Sequence, residues 1–174
     1  LFIFLLTLSP ASVIKAIDKY ALPSYTIDFS ELKSTGNALN KNFKFSEIHI
    51  FSNDISILKI KELVLGVSLR PYHFFQAASI RSITIKDGYF RDLELSTSNL
   101  SQDFFIDFND EVFLSLENFQ YQRNNSMMEI NGGLFGKFSS SLSGQLSFLH
   151  DNSLSTLAVD ISEDSYRFSL NLHP

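Results

Sequence analysis

The chain of 174 residues has no cysteine and no tryptophan. No disulfide and no thiol chemistry holds it together. Proline is scarce: positions 10, 23, 71 and 174 are the four, so nothing interrupts the long interval between Pro71 and Pro174. Such an interval suits uninterrupted sheet pairing, because proline cannot donate to a strand ladder. Basic residues are scarce in the second half. Residues 1–91 carry 11 Lys/Arg and 7 Asp/Glu, a net +4, whereas residues 92–174 carry 3 and 12, a net −9. The overall charge of −5 speaks against nucleic-acid binding, which needs a basic footprint. The basic half adjoins the apolar N-terminus, where it can favour anionic lipid head groups. The ordinary use of such residues is a solvated outer face.

Long apolar runs are also missing. The one candidate, LFIFLLTL at residues 1–8, is too short to span a bilayer, which takes about 20 apolar residues. It is read as the end of a membrane anchor whose remainder lies upstream, with the end of a secretory signal or a buried helix as alternatives. The chain is accordingly expected to be a fragment of a longer protein. Ser9 and Pro10 then look like an N-cap and a first helical residue. Residues 9–23 form the expected amphipathic helix, with Val13, Ile14, Ile17 and Ala21 on one stripe and Pro23 at its end.

What is abundant is phenylalanine, 18 in all, and a period of two. Residues 24–174 are expected to be one β-sheet domain. Tyr25, Ile27 and Phe29 alternate with polar residues, and Phe43 and Phe45 do the same. The parity slips at Ser46–Glu47 before Ile48 and Ile50 resume, which predicts a β-bulge or bend. A second slip falls at Ile57–Leu58. Leu63, Leu65 and Val67 follow; RPYHFFQAAS interrupts; Ile83 and Ile85, then Leu93 and Leu95, take the pattern up again. Strands are also expected at Phe104–Phe108, Val112–Leu116, Met128–Ile130, Leu142–Phe148, Leu157–Ile161 and Phe168–Leu172. Turn signals between them are Asn53–Asp54, Asp87–Gly88, Asn109–Asp110, Asn124–Asn125, Gly132–Gly133, Asp151–Asn152 and Glu163–Asp164. Short strands with short turns read as an antiparallel meander. The segment with Pro71, Phe74 and Phe75 reads as a short helical crossover element.

No catalytic pattern is present. Four histidines, His49, His73, His150 and His173, show no HxxxH or HExxH spacing. There is no G-x-S-x-G elbow and no phosphate-binding glycine loop. The expectation is a protein that is not an enzyme, with no cofactor, no metal site and no nucleic-acid partner.

The succession SYTIDFSELKSTG, NFKFSEIHIFSN, ILKIKELVLGVSLRP and SIRSITIKDGYF resembles the N-terminal region of AsmA-like proteins, particularly the TamB and YhdP types. The matching positions are Leu63, Leu65, Val67, Pro71, Phe74, Phe75, Ile80, Ile83, Ile85 and Gly88, and the likeness covers about residues 1–95. It implies a bacterial inner-membrane protein with a single N-terminal anchor and a periplasmic body. The implied fold is mainly β: a curled antiparallel sheet forming an open, taco-like groove, with an N-terminal helix and a short crossover helix. The implied function is that of a bridge-like, chorein-related lipid transporter, moving phospholipid between the inner and outer membranes. Its partners would be phospholipid, the inner membrane, and outer-membrane or other envelope proteins. The residues expected to line the groove are Phe43, Phe45, Ile48, Ile50, Leu63, Leu65, Val67, Ile83, Ile85, Leu93 and Leu95. The rival expectation is a structural or adaptor β-domain that assists outer-membrane assembly and packs its own core.

Overall fold

The structure, a computed structural model, describes residues 25–37, 39–52, 55–69, 78–92, 111–137, 140–162 and 165–173. These residues form ten strands and no helix: β1 Tyr25–Asp28, β2 Glu31–Gly36, β3 Asn40–Ser52, β4 Ile55–Leu69, β5 Ala78–Asp92, β6 Val112–Arg123, β7 Ser126–Lys137, β8 Ser141–His150, β9 Ser153–Ser162 and β10 Ser165–His173. The expected helices at 9–23 and around Phe74–Phe75 lie outside the described residues, as do the anchor end at 1–8 and the strand expected at Phe104–Phe108.

All ten strands belong to one sheet, and it is open. From β3 to β10 spatial order follows chain order, while β1 and β2 lie end to end along the free side of β3. Every neighbouring pair is antiparallel except β5–β6, which is parallel. The expected meander is therefore corrected at one step. β4 and β5 are antiparallel neighbours, so the Pro71 segment joins adjacent strands and is not a crossover. The return needed between parallel strands falls to the chain between β5 and β6, since a parallel pair takes a connection of about a dozen residues or more.

Two turn signals are corrected as well. Gly132–Gly133 lies inside β7, and Asp87–Gly88 inside β5. Gly132 has φ +133, and a Cβ there would run into the carbonyl oxygen of Gln145 on β8. The glycine serves close strand approach, not a reversal. Asn124–Asn125 and Asp151–Asn152 do make hairpin turns; left-handed backbone at Asn124, Asp151 and Asn152 fits these tight connections.

The slip at Ser46–Glu47 belongs to a larger feature. Four neighbouring strands each carry an apolar–polar–polar–apolar tetrad: Phe45-Ser46-Glu47-Ile48, Ile60-Lys61-Glu62-Leu63, Ile85-Lys86-Asp87-Gly88 and Leu116-Glu117-Asn118-Phe119. Pairing sets Ser46, Glu62, Lys86 and Glu117 in one row across β3–β6. Glu47, Asp87 and Asn118 all have left-handed backbone, near φ +50. Because each strand adds its extra polar residue at the same level, the β3–β4, β4–β5 and β5–β6 registers run through this level without a shift. The compensating shift appears where the series ends, between Leu116 and Phe119 opposite β7. An extra residue bends a strand and raises its twist, and four in line put that effect across four strands at once. The slip at Ile57–Leu58 is separate and sits opposite the Ile50/Phe51 register shift.

Polar groups along the bend are paired. Asn118 donates from Nδ2 to Asp87 Oδ1 at 3.1 Å, and its backbone N–H reaches Asn131 Oδ1 at 2.6 Å. Lys61 lies 3.4 Å from Asp87, and Lys86 lies 3.0 Å from Glu117. The hydrogen bond from Asn118, then that from Lys61, hold the Asp87 carboxyl below its ordinary pKa. That contribution is present at neutral pH and is lost as the pH falls through the lowered value. On the other side of the sheet, a Cβ on Gly88 would land in the Phe119 ring. Gly88→Ala should therefore destabilise the sheet by about 1–3 kcal/mol in urea unfolding. Adding Phe119→Leu should recover part of that loss; strictly additive effects would show that the ring does not rest on Gly88.

Candidate functional site

Cross-strand partners share a face, so the pairing tables of neighbouring strands define rows across the whole sheet. One row runs Leu32, Phe45, Leu63, Ile85, Leu116, Gly132, Leu146, Leu157, Leu170. The next runs Phe43, Leu65, Ile83, Leu114, Leu134, Gly144, Val159, Phe168 from β3 to β10. Beyond the bend, Ile27, Ile50, Leu58, Phe90, Tyr121 and Met128 form a third row. No charged side chain occurs in any of the three.

The opposite face is polar. Its rows include Lys33, Lys44, Val64, Thr84, Ser115, Gly133 and Gln145, and the charged row at the bend. Its apolar exceptions include Val64, Phe51, the exposed Met127, and two exposed cross-strand pairs, Phe113–Phe135 and Leu149–Leu154.

Nine of the residues expected from sequence, Phe43, Phe45, Ile48, Ile50, Leu63, Leu65, Val67, Ile83 and Ile85, fall on the single apolar face. Leu93 and Leu95 lie outside the described residues. The sequence reading missed the other half of that face: Leu114 and Leu116, Leu134, Leu146 and Leu157, and Phe168 and Leu170. Part of the signal was present, since Leu114/Leu116 and Phe168/Leu170 have strand parity, but row membership depends on a register that crosses the parallel β5–β6 step.

Exposure along this face is uneven, and Val112 in β6 and Val159 in β9 are buried as well as the β3–β4 core. Phe43 and Phe45 are each 2 % exposed, and they form a core with Ile48 and Ile60 that Phe29 caps by an edge-on ring contact at 5.5 Å from Phe45. In β6–β9 the row residues are mostly half-buried. At β10 Phe168 is 62 % and Leu170 60 % exposed. The substantial contacts between strands are all between hydrogen-bonded neighbours. A second layer packed face to face would add others, and none exists among the described residues.

Polar groups offer less. His49 lies on the polar face with its ring 6.1 Å from Phe51. His73 and the His173 side chain are outside the described residues. Among the described residues no three His, Asp or Glu side chains converge as a metal site would need. Ser126, His150 and Asp151 do meet at the β6–β7 and β8–β9 turns: Ser126 Oγ is 2.7 Å from His150 Nε2, and His150 Nδ1 is 3.5 Å from Asp151 Oδ2. The order resembles a nucleophile–base–carboxylate relay. The Asp151 side chain is 89 % exposed, however, so water screens it, whereas such a relay relies on a buried carboxylate.

No family model, curated protein or solved structure matches this chain. The site stands on its geometry: an apolar surface several strands wide, continuous in register, polar on its reverse. If that surface is open, a charge placed on it stays hydrated at its exposed part and is stranded only where the face is buried. Phe45→Asp should cost about 4 kcal/mol or more, or prevent folding. Leu146→Asp should leave a cooperatively folding sheet and cost about 1–2 kcal/mol. Equal, severe losses in chemical denaturation would mean that the whole face is a closed core.

Proposed function

We propose that this chain is part of an AsmA-like envelope protein and that its apolar face binds phospholipid and conducts it between the inner and outer membranes. The observation that carries the reading is the unbroken apolar face of an open sheet, which leaves large side chains such as Phe168 and Leu170 exposed. Exposed apolar surface of this extent calls for an apolar occupant. Acyl chains supply one without any catalytic group, since each methylene kept from water is worth about 0.8 kcal/mol. Passage along the face needs no specific bond to break, because the rows repeat every second residue and offer similar surface throughout. The bend across β3–β6 supports the expected curl, which would turn the apolar side into a groove. In the implied setting an anchor precedes the sheet and the body lies in the periplasm.

The adaptor reading keeps one observation in its favour: the β1–β4 end packs its own core around Phe43 and Phe45. Photocrosslinking separates the two. Leu146 and Gln145 are adjacent in β8 and point to opposite faces. A photoreactive residue at 146 in the full-length protein in cells should capture phospholipid, and one at 145 should not. Equal capture at both positions, or none at either, contradicts a one-sided lipid surface.

A further inference from the structure

The third apolar row ends in a polar cleft. Tyr121 and Met128 are paired, and two residues further along each strand, on the same side, Arg123 pairs with Ser126. His150 has the same parity as Leu146 and Phe148 in the neighbouring strand, so it too belongs to the apolar side. Arg123, Ser126 and His150 thus take the place of hydrocarbon where the face reaches the end of the sheet. They border a cleft of about 760 Å³ that Tyr121 and Met128 also line. Residues of the two tight turns, Asn124, Asn125 and Asp151, also line the cleft.

We infer that this cleft binds the phosphodiester of a glycerophospholipid whose acyl chains lie on the adjoining apolar face. The arrangement matches the molecule's two parts. Tyr121, stacked on Phe90 at 5.9 Å, and Met128 offer flat and flexible apolar contacts to the first methylenes. Arg123, which also lines the cleft, carries five N–H donors in a planar fork, more than one existing partner takes up, and the fork suits phosphate oxygens. Ser126 Oγ and His150 Nε2 lie 2.7 Å apart, so a phosphate oxygen that accepts from the serine hydroxyl also lies beside the ring. Asp151, the carboxylate at the cleft, faces the other imidazole nitrogen, Nδ1, at 3.5 Å. A free phosphate would use the same polar groups but not the apolar floor; the continuity of the two selects the lipid. The inference rests on the apolar face being a lipid surface and adds where, and by which groups, a head group is held.

The test uses the purified protein and three probes: dihexanoylphosphatidylglycerol, dihexanoylglycerol and inorganic phosphate. Binding is followed by titration calorimetry, with chemical shifts of His150 and Met128 locating the ligand. The phospholipid should bind and shift both residues, the diacylglycerol more weakly, and inorganic phosphate weaker still. Arg123→Gln should lower phospholipid affinity about tenfold or more, as loss of a charge-assisted bond does, and leave diacylglycerol binding unchanged. Phospholipid binding that ignores Arg123→Gln overturns the head-group site while the lipid surface stands. Inorganic phosphate binding as tightly as the phospholipid overturns it in favour of a free-anion site. No binding of either lipid by a folded protein overturns the lipid surface itself.

Discussion

Register is the constraint on which everything else in this sheet depends. A strand shows one side chain in two to each face, so a slip of a single residue would send a whole strand's leucines to the polar side. Nine strands avoid that slip. Leu32 and Leu170 stand at opposite edges of the sheet and belong to the same row. At the bend, four neighbouring strands insert a residue at the same level, as the tetrads around Glu47, Lys61, Asp87 and Asn118 show, whereas the insertions at Ile57 and Arg81 are single and shift the register locally. Shared insertion preserves the faces on both sides of the bend, and the one mismatch it leaves is taken up opposite β7.

The polar reverse follows from the same arithmetic. The residues that the bend turns outward are polar, and all but Ser46 are charged or amide-bearing; they link sideways through Lys61–Asp87, Asp87–Asn118 and Lys86–Glu117. Exposed ion pairs of this kind contribute little each. Their value here is positional: they occupy the level at which a strand could otherwise shift. The apolar side has no comparable lock and depends on hydrocarbon contact, which is strong where Phe29, Phe43 and Phe45 meet and weak toward β10. The described residues therefore combine a self-packed core in β3 and β4 with apolar side chains that are exposed at β10.

Much of this was legible in the sequence. Alternation at Phe43–Phe45 and Leu63–Val67 marked strands and faces, and the slip at Ser46–Glu47 marked the level where the shared insertion lies. Glycine misled: Gly132–Gly133 and Asp87–Gly88 carry turn chemistry, yet inside strands the missing side chains admit the Gln145 carbonyl and the Phe119 ring. The parallel step was hidden because alternation has no direction, and strand order has to be inferred from connections. The Arg123–Ser126–His150 cleft was hidden for a related reason. Ser126 and His150 are 24 positions apart, and only the β7–β8 pairing brings them together.

The central claim is that hydrocarbon from outside the protein covers the apolar face. Native mass spectrometry of the gently purified protein tests it most directly. The account predicts bound phospholipid, released by organic solvent, and reduced occupancy when Leu146 and Leu157 are both replaced by aspartate in a protein that still folds. A folded wild-type protein that is free of lipid, or one whose lipid load ignores both substitutions, would contradict it.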